Sequence, residues 1–363
     1  MAAKFPDYTD STVNLACSIS SHYGISPCHS TLPEVDNVLR NGARNVVLLV
    51  LDGLGRNALE YHLEPGSFLR SNVRKYYSSV FPPTTTAATT SLLSGLSPLQ
   101  HGWLGWSLYF PSINKYVSLF PNTISGTNTQ AASYNVADRY MPYESLIAKI
   151  QKAGFHAYIS APYESPNPSN FSQVLERVEY LCGLEHIKFV YVYYEQPDGL
   201  EHWRGVYCEE CGKWLRKADR QLQELSQRLH DTVLIITADH GHTDITTENI
   251  SLHPEITSCF LRPPTMEPRA MNFFIRPEME EIFAARFNEA YEGEFILFRT
   301  DEAASRGLFG SGTMHPFFSS LGQYIAASIG RKALFINGVN DFMGHHAGLT
   351  ADENEIPLII CEC

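Results

Sequence analysis

Residues 232–242 read Thr-Val-Leu-Ile-Ile-Thr-Ala-Asp-His-Gly-His, an apolar run that ends at Asp239 and His240. Aliphatic and β-branched residues in a run this short predict a strand that is buried on both faces, as in a parallel sheet. In open α/β sheets, ligands bind at the carboxyl ends of the strands. A carboxylate beside an imidazole at such an end is a donor pair for zinc or manganese, although a strand end without a ligand can carry the same polar residues.

Two other apolar runs are followed by similar side chains. Residues 46–51 lead into Asp52, and residues 189–194 lead toward Asp198 and His202. A separation of four residues brings Asp198 and His202 to one point on a helical turn, in the way that paired histidines bind zinc. Asp52 has an alternative interpretation as the N-cap of the helix that follows it. The recurrence of one pattern at three strand ends favours a ligand site.

A candidate nucleophile lies in a threonine-rich stretch. Residues 85–93 are small or apolar and predict a helix that Gly95 ends. A hydroxyl at the start of this helix, on Thr85, lies beside free backbone N–H groups and in the positive field of the helix dipole, which favours an alkoxide or a bound phosphate oxygen. The alternative is that this threonine only caps the helix.

Three carboxylates and three imidazoles form the candidate metal centre. They are Asp52, Asp198, His202, Asp239, His240 and His346. Six such ligands are enough for two divalent ions with about three protein ligands each, and two ions about 4 Å apart can clamp the attacking and leaving oxygens of a phosphoryl transfer. Thr85 then supplies the nucleophile, because metal coordination is one way to activate a hydroxyl.

The composition is that of an ordinary globular protein, with 363 residues, 44% of them hydrophobic, and a formal net charge of −12. The acidic balance argues against a polynucleotide partner, because binding to a phosphate backbone requires a basic face. No signal peptide and no membrane-spanning run are recognisable, so we expect a cytoplasmic protein with reduced cysteines, and the sequence leaves its oligomeric state open. Cys208 and Cys211 have metal-knuckle spacing, but no second pair follows at zinc-ribbon distance.

The alternation of strands and helices predicts an α/β fold with one main, mostly parallel sheet flanked by helices. We expect an N-terminal arm over residues 1–43 and a catalytic domain over 44–363, with a small cap insertion at about 103–140. Four aromatic residues of the cap are candidates for a wall against a planar group, or for packing the cap on the core: Trp103, Trp106, Tyr109 and Phe110.

The motifs together resemble the alkaline phosphatase superfamily, and within it the type I phosphodiesterase/nucleotide pyrophosphatase branch. The matching pieces follow the family's order from about residue 46 to 349: Val-Leu-Asp52-Gly, Phe-Pro-Pro-Thr-Thr85 with Ser94-Gly95 through His101-Gly102, Asp198-x-x-x-His202, Thr-Ala-Asp239-His240-Gly-His and Gly344-His-His346-Ala-Gly-Leu. The resemblance implies an alkaline-phosphatase-like catalytic domain.

The resemblance also implies the roles of the ligands. One metal would be held by Asp198, His202 and His346, and the other by Asp52, Asp239 and His240 together with the oxygen of Thr85. The ions would be Zn²⁺, with Mn²⁺ as the alternative. Attack by Thr85 would form a phosphothreonine intermediate that water then hydrolyses. His242 and His345 would support the ligands from behind.

The implied activity is the hydrolysis of phosphodiester or pyrophosphate bonds in small phosphorylated molecules, nucleotides among them. The branch has an asparagine that binds a phosphate oxygen four residues after the His-Gly pair, where this chain has Trp106. Trp106 is therefore a candidate substrate contact, and the alternatives are a phosphomonoesterase or phosphonate hydrolase on the same site, a phosphoryl mutase, or a catalytically silent binding homologue.

Overall fold

The computed structural model describes residues 3–161 and 168–363, so the first two residues of the predicted arm lie outside it. Within these ranges the strands are β1 Asn45–Leu51, β2 Val73–Ser78, β3 Ser107–Phe110, β4 Lys115–Ser118, β5 Thr123–Ile124, β6 His156–Ser160, β7 Lys188–Tyr194, β8 Thr232–Thr237, β9 Thr243–Asp244, β10 Thr246–Asn249, β11 Phe260–Glu267, β12 Ala270–Ile275, β13 Phe295–Arg299, β14 Tyr324–Ser328, β15 Lys332–Phe335, β16 Gly344–His345 and β17 Glu355–Glu362.

The α-helices of the same ranges are α1 Thr12–His22, α2 Pro33–Leu39, α3 Arg56–His62, α4 Phe68–Ser71, α5 Thr85–Ser94, α6 Pro98–His101, α7 Val136–Tyr140, α8 Leu146–Lys152, α9 Phe171–Cys182, α10 Asp198–Arg204, α11 Glu209–Arg228, α12 Pro254–Thr257, α13 Glu280–Ala290, α14 Thr300–Ser305 and α15 Ala351–Asn354. None of the described helices is long and apolar enough to cross a membrane.

The first sheet carries the strands that the apolar runs predicted. Its order is β2-β17-β8-β1-β7-β6. The pairs β8–β1, β1–β7 and β7–β6 are parallel, whereas β17 runs antiparallel to both of its neighbours. Every residue of β1 and of β8 is buried, as expected for parallel strands covered on both faces. The mostly parallel α/β architecture predicted from sequence is therefore confirmed.

A second sheet accompanies the central one, and the sequence did not predict it. In the described part of the chain this sheet has the order β13-β14-β12-β11-β3-β4-β5, and its pairings are antiparallel. Residues 103–140, predicted to form a cap, contribute β3 to β5 at one edge of it. Short strands with mixed polarity have weak periodicity, which is why the sequence did not reveal that they pair with strands 150 residues away.

The predicted arm packs on the first sheet. Leu15 and Ile19 of α1 and Val35 of α2 are fully buried in the same cluster as β1 and β8. The division into an arm and a catalytic domain with a cap insertion stays a proposal.

Candidate active site

Three neighbouring strands bring the predicted carboxylates to one edge of the first sheet. Asp52 follows β1, Asp239 follows β8, and Asp198 begins the helix after β7. The backbone N–H of Asp198 donates to the carbonyl oxygen of Asp52 at 2.9 Å. The N–H of Gly53 donates to Asp239 Oδ1 at 3.2 Å. These bonds tie the three strand ends together, which explains how residues far apart in sequence meet.

Gly53 is required for this convergence. Its φ of +79° lies in the left-handed region, and a Cβ there would lie 2.9 Å from Asp198 Cα. Glycine alone avoids both the backbone strain and the collision.

The structure brings the candidate ligands into two groups that share His240. The ligand atoms within each group lie within 4.8 Å of one another. The groups are Asp52, Asp239 and His240, and Asp198, His240, His242 and His346.

The first group is the predicted set of three. His240 Nε2 lies 3.4 Å from Asp52 Oδ1 and 3.6 Å from Asp239 Oδ2. All three side chains are buried, and neither of those carboxylate oxygens has a hydrogen-bond partner among the described residues. Burial and mutual repulsion raise the pKa of Asp52 well above its usual range, and burial raises that of Asp239. Buried carboxylates left this way are costly unless a cation joins them, so the donor set fits a divalent metal.

The second group is centred on Asp198 Oδ1. His242 Nε2 lies 2.6 Å from this oxygen and His346 Nε2 lies 3.9 Å away. His202, a predicted ligand, is outside this group of four, although its Nε2 lies 3.4 Å from the same oxygen. Burial raises the pKa of Asp198, but the facing histidines His202 and His242 outweigh it and hold the pKa below the usual range.

Backbone contacts orient two of these histidines. His202 Nδ1 donates to the carbonyl of Gly344 at 3.0 Å, and His346 Nδ1 donates to the carbonyl of Pro83 at 3.1 Å. Each contact leaves Nε2 as the free nitrogen, which is the arrangement that metal-binding histidines need. His242, expected only to support the ligands, lies within the group itself.

Thr85 is the first residue of α5, as the sequence predicted. Thr84 is the N-cap, and Gly95 ends the helix with a φ of +72°. The hydroxyl oxygen of Thr85 lies 3.2 Å from His240 Nε2, the imidazole that belongs to both ligand groups. The candidate nucleophile, the helix N-terminus and both groups therefore converge on one point.

Three polar residues at the site were not found by sequence reasoning. The hydroxyl of Tyr193 donates to Asp52 Oδ2, and that of Ser79 donates to the carbonyl of Asp239. Glu267 accepts hydrogen bonds from Thr84 and from the backbone of Trp106. Tyr193 is one of several tyrosines in an apolar strand and Glu267 lies far along the chain, so neither carried a local signal.

A cavity of about 570 Å³ opens beside Thr85, and its lining includes Trp106, Asp198, Glu267, Phe342 and His346. Of the four aromatic candidates, Trp106 lines the cavity and is 45% exposed. The other three are buried in the protein: Trp103, Tyr109 and Phe110.

Comparison with known proteins gives matches to phosphodiesterases, both in a family model and among curated sequences. The family model described as Type I phosphodiesterase / nucleotide pyrophosphatase matches residues 46–258. A venom phosphodiesterase of Macrovipera lebetinus is 29% identical over 187 residues, which are 47% of this chain and 22% of the relative. Venom phosphodiesterase 2 of Crotalus adamanteus is 28% identical over 192 residues, 48% of this chain and 23% of the relative. The matched part spans about a fifth of the length of these curated relatives.

Among solved structures, an inactive variant of murine ectonucleotide pyrophosphatase / phosphodiesterase 5 in complex with AMP has a TM-score of 0.67 at 15% identity, covering 86% of this chain and 87% of the other. The human protein of the same name has a TM-score of 0.67 at 16% identity, covering 87% of each chain. At these identities the likeness shows a shared fold.

Proposed function

The chain belongs to the type I phosphodiesterase/nucleotide pyrophosphatase family, and we propose that it is a two-metal hydrolase of phosphodiester or pyrophosphate bonds in small molecules, nucleotides among them. The observation that carries the proposal is the position of Thr85, at a helix N-terminus and 3.2 Å from His240 Nε2 in the wall of the cavity. The AMP bound to the murine structural neighbour supports a nucleotide-sized substrate.

The donor sets fit two divalent ions of the kind that oxygen and imidazole ligands bind, either zinc or manganese. Asp52, Asp239 and His240 would hold one ion, and Asp198, His202 and His346 would hold the other, with His242 in contact with Asp198. When bound, the ions supply Lewis-acid stabilisation of phosphate charge and lower the pKa of the Thr85 hydroxyl.

The chain's own residues position the reaction. Thr85 gives up its hydroxyl proton to solvent and its oxygen attacks phosphorus. The bond from Thr85 to phosphorus forms, the bond to the leaving oxygen breaks, and the leaving group departs as an oxyanion that solvent can protonate. The unpaired N–H groups at the start of α5 face the phosphate oxygens and stabilise their charge. Water then cleaves the phosphothreonine and restores Thr85.

The test is a comparison of initial rates on an aryl phosphodiester and the matching monoester. Metal-stripped protein is reloaded with Zn²⁺ or Mn²⁺, and Thr85→Ala is compared with Thr86→Ala, which changes a buried neighbouring hydroxyl outside the cavity lining. We expect metal-dependent diester hydrolysis that is lost in Thr85→Ala and kept in Thr86→Ala, with an aryl-phosphoryl group trapped on the peptide that contains Thr85. Full metal-dependent activity in Thr85→Ala would overturn the proposed nucleophile. A faster monoester reaction would move the protein to the phosphomonoesterases.

The cytoplasmic location and the supporting role of His345 stay predictions. His345 is buried, and its ring lies 4.8 Å from that of His202.

A further inference from the structure

Glu267 places a carboxylate in the wall of the candidate active site. It lines the cavity together with Thr85, and it is only 5% exposed. One oxygen, Oε1, accepts a hydrogen bond from Thr84 Oγ1 at 2.7 Å and another from the backbone N–H of Trp106 at 2.6 Å. The two hydrogen bonds therefore fix Glu267 in the wall of the cavity that Thr85 also lines.

The backbone next to Glu267 is strained, and closely packed neighbours hold it in this conformation. Met266 has a φ of +76°, which is unusual for a residue with a large side chain. Gly105 packs so closely that a Cβ on it would lie 2.9 Å from Met266 Cα. Two residues further on, Arg269 is fully buried and paired with Glu353. Strained backbone that is held this firmly is found preferentially at functional sites.

The described lining of the cavity contains acidic side chains without basic partners from lysine or arginine. No lysine or arginine is among the described side chains that line it. Asp198 belongs to a ligand group and would be neutralised by a bound cation, whereas Glu267 belongs to neither group in the described chain. Burial raises the pKa of Glu267 to about 7, against the lowering effect of the bonds from Thr84 and Trp106. At an assay pH well above that value the group is a carboxylate.

We infer that Glu267 is a specificity-determining residue that restricts this site to phosphodiesters with a single negative charge. A carboxylate in a partly enclosed cavity repels a second anionic group, whether it lies on the scissile phosphorus, as in a monoester, or on the leaving group, as in a pyrophosphate. The inference rests on the proposed hydrolase activity, and it narrows that proposal from diesters and pyrophosphates to diesters.

The test compares wild-type protein with Glu267→Gln on three probes: bis(p-nitrophenyl) phosphate, p-nitrophenyl phosphate and ATP. Glutamine keeps an oxygen that accepts both hydrogen bonds and removes the charge. We expect the ratio of kcat/KM for monoester to diester, and for ATP to diester, to rise at least about tenfold, as expected for loss of one nearby like charge at an effective dielectric constant of about 20. Inhibition by inorganic phosphate becomes stronger in parallel.

Two further variants separate charge from positioning. Thr84→Val removes one hydrogen bond to Glu267 and keeps its carboxyl group. Because the lost bond lowers the pKa of that group, the ratios are measured at a pH well above 7, where Glu267 is charged in both proteins, and there they should stay those of the wild type. Glu281→Gln removes an exposed carboxylate of α13 and also leaves the ratios unchanged.

Unchanged ratios in Glu267→Gln would overturn the inference while wild-type diester hydrolysis kept the proposed function standing. Equal losses on all three probes in both Glu267→Gln and Thr84→Val would also overturn it, because they would mark Glu267 as a positioning residue for Thr84. Failure of the wild type to hydrolyse the diester with either metal would remove the proposed function and the inference with it.

Discussion

The two sheets contribute to the candidate site in different ways. The parallel strands of the first sheet deliver the candidate ligands, because Asp52 and Asp239 follow the ends of β1 and β8. The antiparallel second sheet delivers the cavity wall, with Trp106 just before β3 and Glu267 at the end of β11. From this difference we infer that the proposed metal chemistry depends on the first sheet, whereas the proposed choice of substrate depends on the second.

A buried ion pair connects the two regions. Arg269, in the turn between β11 and β12, donates to Glu353 from Nε at 2.7 Å and from Nη2 at 2.8 Å. Glu353 also accepts the N–H of Gly348 at 2.7 Å and the hydroxyl of Thr350 at 2.6 Å. These contacts tie the second sheet to the loop that follows His346. They hold the cavity wall formed by the second sheet in a fixed position relative to the candidate metal ligands.

The largest effect is expected in the first sheet, from His240→Gln. His240 is a proposed ligand of one ion and its ring also lies within the second group of candidate ligands, so its loss should reduce metal content from about two ions per chain to about one or less and lower kcat/KM at least about 10³-fold. Metal content is measured on dialysed protein, and Asp52→Asn, which touches one group, should lose less metal.

The control is His230→Gln, which changes an exposed histidine and should retain both the metal content and the kcat/KM of the wild type. Equal metal content in His240→Gln and the wild type would show that His240 is not a metal ligand.

The connection between the sheets is tested by Arg269→Met. Removing one partner of a buried pair leaves an uncompensated charge on Glu353 and should cost about 3–5 kcal/mol of unfolding free energy, read as a lower thermal midpoint. The double variant Arg269→Met/Glu353→Leu should recover a large part of this loss, because no buried charge then remains. A single variant as stable as the wild type would show that the pair contributes nothing to holding the sheets together.

A smaller effect is expected at His101, which packs behind the nucleophile helix. His101 Nε2 lies 3.1 Å from Ser91 Oγ, and its Nδ1 accepts the N–H of Trp103 at 3.0 Å. Burial, with a contribution from His315, lowers the pKa of His101 to about 3. The unfolded chain therefore binds more protons than the folded one between about pH 6.5 and pH 3, and stability falls as the pH falls through that window.

The prediction is that His101 alone costs the wild type about 1.5 kcal/mol between pH 6.5 and pH 5. In His101→Gln the fall in unfolding free energy over this interval should be smaller by that amount, because glutamine does not titrate. Denaturant unfolding at both pH values measures the two slopes. If the unfolding free energies of the wild type and of His101→Gln fall equally over this interval, His101 binds its proton equally well in the folded and the unfolded chain.

The smallest effect is expected in the second sheet, from Trp106→Ala. Its side chain is nearly half exposed, so its removal should raise KM about fivefold with little change in kcat, equivalent to a contribution on the order of 1 kcal/mol from an aromatic wall. Tyr180→Ala, which removes an exposed aromatic ring from α9, should leave KM unchanged. A fall in kcat with KM unchanged would assign the contact of Trp106 to the transition state instead.

The features that the sequence predicted correctly are those marked by residues close together in the chain. The strands β1, β7 and β8 are continuous apolar runs, and a carboxylate or imidazole follows each one directly or within a turn. The start of α5 at Thr85 was equally visible, because small residues and Gly95 mark the limits of the helix. Periodicity and terminal residues are enough for features of this kind, since both are written within about ten residues.

The unpredicted part depends on pairing between distant segments. β3 pairs with β11 through Ser107 and Met266, which lie more than 150 residues apart. Glu267 became part of the site through that pairing, and no pattern around it distinguishes it from the surface glutamates of this acidic chain. The same holds for His242, whose place beside Asp198 depends on how the loop after β8 turns.

The sequence by itself indicated the candidate ligands and the candidate nucleophile and determined the parallel arrangement, because strand ends and helix starts are properties of short segments. The tertiary structure decided which imidazole is shared, which aromatic ring faces the cavity and which carboxylate lies in its wall. Those depend on hydrogen bonds and close approaches between segments that meet only after folding, and a position such as Met266, held in an unfavourable backbone conformation, is maintained only by its packed neighbours.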